Sequence, residues 1–125
     1  MPQAANRAVM RWLSIFACIV AFLIVFGAFV RLTRSGLSIT EWNPVSGSVP
    51  PIGEQAWHEE FAKYQGTPEF KQINSDMTLE EYQYIFYIEW IHRFIARLAG
   101  LVYAIPVFYF LSKERSHSEN LVFIL

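Results

Sequence analysis

Cysteine is nearly absent from this 125-residue chain: Cys18 stands alone. A single thiol excludes a disulfide within the chain and any cysteine-built zinc site. A surplus of either charge is missing as well. Ten Lys and Arg face eleven Asp and Glu, which leaves a net charge of -1. That balance provides no electrostatic footprint for nucleic acid, so no nucleic-acid partner is expected. Histidine is scarce. His58 and His117 have no companion ligands at zinc spacing and read as solvated side chains.

Charge is missing altogether from one long stretch. From Trp12 to Val30 the chain reads WLSIFACIVAFLIVFGAFV, 19 residues without a charge, between Arg11 and Arg31. A bilayer core of about 30 Å needs about 20 helical residues. A transmembrane helix is expected over about 11–33. The alternative is a cleaved signal peptide, but that would carry a shorter apolar run and an A-x-A-like cleavage site. The run ends instead in GAFVRLTRSG.

A second apolar segment follows from Tyr82, and a second helix is expected over about 78–111. Its back half, LAGLVYAIPVFYFL, is uncharged. Pro106 is tolerable there because neighbouring groups can satisfy the carbonyl it frees. Thr78 with Glu81 three residues on matches a capping box at the helix start. The expected fold is all-α: two transmembrane helices joined by a long, partly helical external segment over about 34–77. Arg7 and Arg11 at one end, with Lys113 and Arg115 at the other, favour both ends inside and the connection outside. Eight of the eleven acidic residues lie between Glu41 and Glu81, but acidic residues weigh little in that rule. The closing LVFIL reads as the start of a third helix at 120–125, which suggests a piece of a longer membrane protein.

The connecting segment is too long to be passive. SGLSITEWNPVSGSVPP is rich in Gly, Ser and Pro and predicts turns rather than helix. Trp42 suits a membrane interface. Trp57, Phe61 and Tyr64 recur at helical spacing, giving one apolar face for the surface or for capping the bundle. Gly66 should end that helix, and Thr67-Pro68 should start another.

The second helix also carries what an apolar helix should avoid. YIEWIHRFIARLAG, residues 87–100, contains Glu89, His92, Arg93 and Arg97. At about 100° per residue, Glu89, His92, Arg93, Ala96, Gly100 and Tyr103 share one face, with Arg97 at its flank. Tyr87, Ile91, Phe94, Ile95, Leu98, Val102 and Ile105 line the other. If the membrane begins near Gln83, Glu89 lies about 9 Å inside and His92 about 14 Å. Ionisable groups at such depth are costly and face a bundle interior. Two readings stay open. Glu89 and Arg93, spaced i, i+4, can pair and glue helices. Alternatively the stripe is a cofactor site, with His92 as an axial ligand to haem iron, arginines on carboxylates and Glu89 moving protons or balancing positive charge.

These stretches resemble a known family. GAFVRLTRSGLSITEWNPVSGSVPP, residues 27–51, is similar to the signature that follows helix one in haem A synthases. EWIHR, residues 89–93, resembles that family's helix-two motif, and FAKYQGTPEFKQIN with MTLEEYQYIFYIEWIHRFIARLAGL continues the match. Ala28 stands where the family often has Gly, a small-for-small change. The cysteine-free segment resembles the alphaproteobacterial and mitochondrial class. With no transit peptide before helix one, the bacterial inner membrane is expected, multi-pass, with a cytoplasmic N-terminus.

The resemblance implies eight membrane helices in two four-helix halves. It implies oxidation of the C8 methyl of haem O to the formyl group of haem A. Haem O and haem A are then substrate and product, and haem b sits in the other half. It implies that Glu89 is catalytic, that His92 ligates haem iron, and that Arg93 and Arg97 bind the cofactor or pair with Glu89. The implied partners are membrane lipid, a haem O-supplying enzyme and the cytochrome oxidase assembly machinery, and a homo-oligomer is compatible. The second histidine of this half belongs to a fourth helix outside this sequence, so these 125 residues alone are expected to be inactive. Two other classes compete. A b-type cytochrome subunit that only carries electrons would need His92 but not Glu89. A non-catalytic assembly factor would bind no haem.

Overall fold

The computed structural model describes residues 2–122, with side chains for 3–116. Four α-helices and one 3-10 turn make up the described chain: α1 Pro2–Leu32, the turn Ser46–Ser48, α2 Glu54–Gln65, α3 Pro68–Gln72 and α4 Leu79–Val122. No strand occurs among the described residues. α1 and α4 are long and apolar enough to cross a membrane. Leu13, Ile15, Phe22, Ile24, Val25 and Phe29 on α1 are uncovered by this chain. Apolar side chains left bare along the whole helix belong against lipid or other membrane helices, so this is an all-α membrane protein. α4 runs past residue 111 to Val122 without a break. The expected helix start at 120–125 otherwise falls outside the described residues, as does the side chain of His117.

The chain divides into two compact units, one of Met1–Phe22 with Ala96–Leu125, the other of Leu23–Ile95. In the first, Trp12 stacks on Tyr103 with ring centroids 5.7 Å apart, and Phe16 also meets Tyr103. Pro106 has no N–H, so the carbonyl four residues earlier, on Val102, loses its helical partner. The Trp12 indole Nε1 donates to that oxygen at 2.6 Å. The neighbour that the proline requires is therefore Trp12. Trp12→Phe is expected to cost about 1–2 kcal/mol, read by denaturant titration in micelles. In a Pro106→Ala background, where the helix recovers its own donor, most of that cost should vanish. An equal cost in both backgrounds would refute the pairing.

In the second unit, α2 and α3 pack on the first turns of α4. Trp57, Tyr64, Tyr82, Ile85 and Phe86 form the core. Tyr64 stacks on Tyr82 at 5.1 Å, and Trp57 meets Phe86 edge-on at 5.0 Å. The apolar face of Trp57, Phe61 and Tyr64 thus covers α4. Local signals set the helix ends. Gly66 follows the last residue of α2, and Thr67 caps α3 by accepting from Phe70 N–H. Thr78 and Glu81 exchange the two bonds of a capping box, at 3.0 and 3.3 Å. Burial pushes the pKa of the Tyr64 hydroxyl up. The hydrogen bond that Lys63 donates to Glu60 raises the pKa of its ammonium, which also pairs with Glu41.

Candidate functional site

α1 ends in a tight reversal that builds one wall of the site. Ser35 N–H donates to Val30 O at 3.0 Å and Arg34 N–H to Arg31 O at 3.1 Å. These are the two bonds of a Schellman ending. Arg34 takes φ 55°, where glycine is usual, at a cost of about 1–2 kcal/mol. The reversal carries Ser35 and Ser38 inward, and both are fully buried.

Glu89 on α4 is the buried charge, with 3% of its surface exposed. Its Oε2 accepts from the Ser38 hydroxyl at 2.7 Å and from Ile39 N–H at 2.9 Å. Its Oε1 is ion-paired with the Arg93 guanidinium one turn on. A buried carboxylate needs its lone pairs filled, and this one has three donors. Arg93 extends past Glu89 to the Glu41 carbonyl at 3.4 Å. Trp90 Nε1 donates to Gly47 O at 3.0 Å, pinning the segment beside α4. Tyr82 braces the same wall, its hydroxyl donating to Ser38 O at 3.0 Å.

His92 faces α1. Its Nε2 lies 3.2 Å from Leu23 O, and its ring stacks on Phe26 at 5.9 Å. Gly27 makes room for it: a Cβ there would stand 3.3 Å from Nε2.

Three of the four expected site residues, Glu89, His92 and Arg93, lie in this unit. Arg97 lies in the other unit and is half-buried. Ala96 and Gly100 are uncovered there, and a Cβ on Gly100 would meet nothing within 4 Å. No group of three metal-ligating side chains occurs among the described residues. A lone imidazole fits one axial position of a haem iron, not a protein-built metal cage. Gly27→Ala is expected to crowd the ring, since its Cβ would stand 3.3 Å from Nε2, at a cost of about 1–3 kcal/mol, read by denaturant titration in micelles. No loss would mean that the ring is not seated on Gly27.

Sequence reasoning missed Ser38 and the Ile39 amide. The signal was available as a question: Glu89 has more lone pairs than Arg93 can fill. The polar SGLS following α1 was the place to look.

A model of the cytochrome oxidase assembly protein family matches residues 10–125. The haem A synthase of Maricaulis maris is 52% identical over 105 residues, 84% of this chain and 31% of that protein. That of Caulobacter vibrioides is 52% identical over 109 residues, 87% of this chain and 32% of that protein. That of the Wolbachia of Brugia malayi is 42% identical over 115 residues, 92% of this chain and 34% of that protein. The chain spans about a third of the length of these curated relatives. No solved structure matches it.

Proposed function

The chain belongs to the family of cytochrome oxidase assembly proteins, and from that premise we propose that the full-length protein makes haem A. The reaction is oxidation of the C8 methyl of haem O to a formyl group. These residues supply the first two membrane helices and part of the substrate site, within a four-helix half of an eight-helix fold. The observation that carries the reading is Glu89: a buried carboxylate, held by Ser38, Ile39 and Arg93, one turn from the imidazole of His92.

Each residue then has a role its surroundings support. Converting the methyl to a formyl group takes one oxygen from water and releases four protons and four electrons, so the reaction requires an external electron acceptor. Glu89 accepts a proton from the reacting carbon or balances positive charge developing there, before water adds. The cradle fixes its Oε2, so Oε1 is the oxygen left to act. His92 would hold the substrate through its iron and so orient it. Arg93 and Arg97 bind the propionate carboxylates, for which the guanidinium fork is suited. Haem b, in the other half, supplies electron transfer when bound. The setting is the bacterial inner membrane, multi-pass, with the N-terminus cytoplasmic and α2 and α3 on the opposite side. The partners are lipid, the enzyme that delivers haem O and the cytochrome oxidase assembly machinery; a homo-oligomer is compatible.

The test is to express the full-length protein in a host that makes haem O but no haem A, then separate extracted haems by chromatography. Haem A should appear with the wild type and disappear with His92→Ala. Absence of haem A with the intact protein would sink the reading. A haem-loaded protein that forms none would point to an electron-carrying cytochrome instead.

A further inference from the structure

We propose that Arg93 is an exchangeable clamp. It pairs with Glu89 when the site is empty and is drawn to a carboxylate of the bound tetrapyrrole when the site fills, which bares Glu89 Oε1. The inference rests on the haem A reading above, and it names a coupling between substrate binding and the acting oxygen.

The two sides of the Glu89 carboxylate are not alike. Oε2 is held by Ser38 Oγ and the Ile39 amide, both belonging to the reversal that follows α1. Ser38 is fully buried and pinned by the Tyr82 hydroxyl on its carbonyl. Glu89 therefore keeps its place whether or not Arg93 is there. Among the described residues, Oε1 is held by the Arg93 guanidinium and not by the reversal. Arg93 is the more loosely held partner. Its side chain is 27% exposed against 4% for Glu89, and its other contact is a long one, 3.4 Å to the Glu41 carbonyl.

An arginine between two carboxylates is a competition. A guanidinium binds a propionate as readily as a glutamate. Anionic substrate and Glu89 must then oppose each other for the same group. By linkage, removing the charge of one strengthens the other. Withdrawal of Arg93 takes the guanidinium off Oε1 while Ser38 and Ile39 keep Oε2, so the acting oxygen is bared only when substrate is present. A fixed Glu89–Arg93 strut predicts the opposite: breaking it loosens the site for every ligand.

The experiment titrates the full-length protein with iron protoporphyrin IX and with its dimethyl ester, followed by optical absorption. Wild type, Glu89→Gln and Arg93→Gln are compared, and differences between them isolate this half, since haem bound elsewhere is common to all three. Gln at 89 keeps an oxygen for Ser38 and Ile39 while removing the charge. Glu89→Gln should tighten the free acid about tenfold, within the usual range of such couplings, and leave the ester unchanged. Arg93→Gln should abolish the preference for acid over ester. The clamp is overturned if Glu89→Gln weakens both ligands, or if acid and ester stay distinguished without Arg93. Haem A formation by Glu89→Gln is a separate readout. Its survival would remove Glu89 from the chemistry and leave the exchange standing.

Discussion

On the proposed function, replacing Glu89 with Ala in the full-length protein is expected to lower haem A formation by at least about 100-fold, the usual contribution of a positioned acid or base. It should also destabilise the protein by about 3 kcal/mol, because a buried charge pair is broken from one side. Arg93 loses its counter-charge, and the Ile39 amide loses its acceptor. Ser38 suffers less, since its hydroxyl can turn to Ser35 O at 2.7 Å. Glu89→Gln separates the two effects. The amide oxygen can still accept from Ser38 and Ile39, so most of the stability returns, while the charge does not. Haem A formation should stay as low in Gln as in Ala. If Gln instead works within about tenfold of wild type, the negative charge has no part in the chemistry, and Glu89 is a structural strut.

The second large effect belongs to Tyr82, which makes no expected contact with substrate. Tyr82→Ala should cost about 3–5 kcal/mol, as truncation of a fully buried aromatic does. Its ring stacks on Tyr64 and meets Phe61 and Phe86, so the cavity opens where α2 and α3 grip α4. Its hydroxyl holds the carbonyl of Ser38, so the wall behind Glu89 loosens with it. Limited proteolysis within 34–77 should become faster in step. Tyr82→Phe keeps the ring and loses only the hydroxyl, at about 1 kcal/mol. A cost for Tyr82→Ala below that of Tyr82→Phe would mean that the cap is held elsewhere.

Glu89 and Tyr82 also show where sequence reading works and where it stops. Local patterns carried their own proof. The capping box at Thr78 and Glu81, the Thr67 cap and the stop at Gly66 are bonds between residues three or so apart. Helical periodicity put Glu89, His92 and Arg93 on one face, and i, i+4 spacing made their pairing available. The demand that Pro106 makes on a neighbour was also legible, but not the neighbour: Trp12 lies 90 residues from Val102 in the chain. The apolar face of α2 was visible as a stripe, yet a stripe does not say what covers it. Only packing chose the first turns of α4.

What the sequence by itself determined, then, is the all-α membrane class, the helix ends at Gly66, Thr67 and Thr78, and the set of ionisable groups that share a face. Each follows from period and from short-range hydrogen bonding. The start of α1 at Pro2 and the run of α4 to Val122 were not legible. Tertiary structure alone decided that Ser38 and the Ile39 amide hold Glu89, that His92 rests on Gly27, and that Arg93 is the freer member of its pair. Those facts depend on a chain reversal at Arg34 that brings residues some fifty positions apart within 3 Å. No periodicity encodes such a meeting, because it is set by where two helices touch.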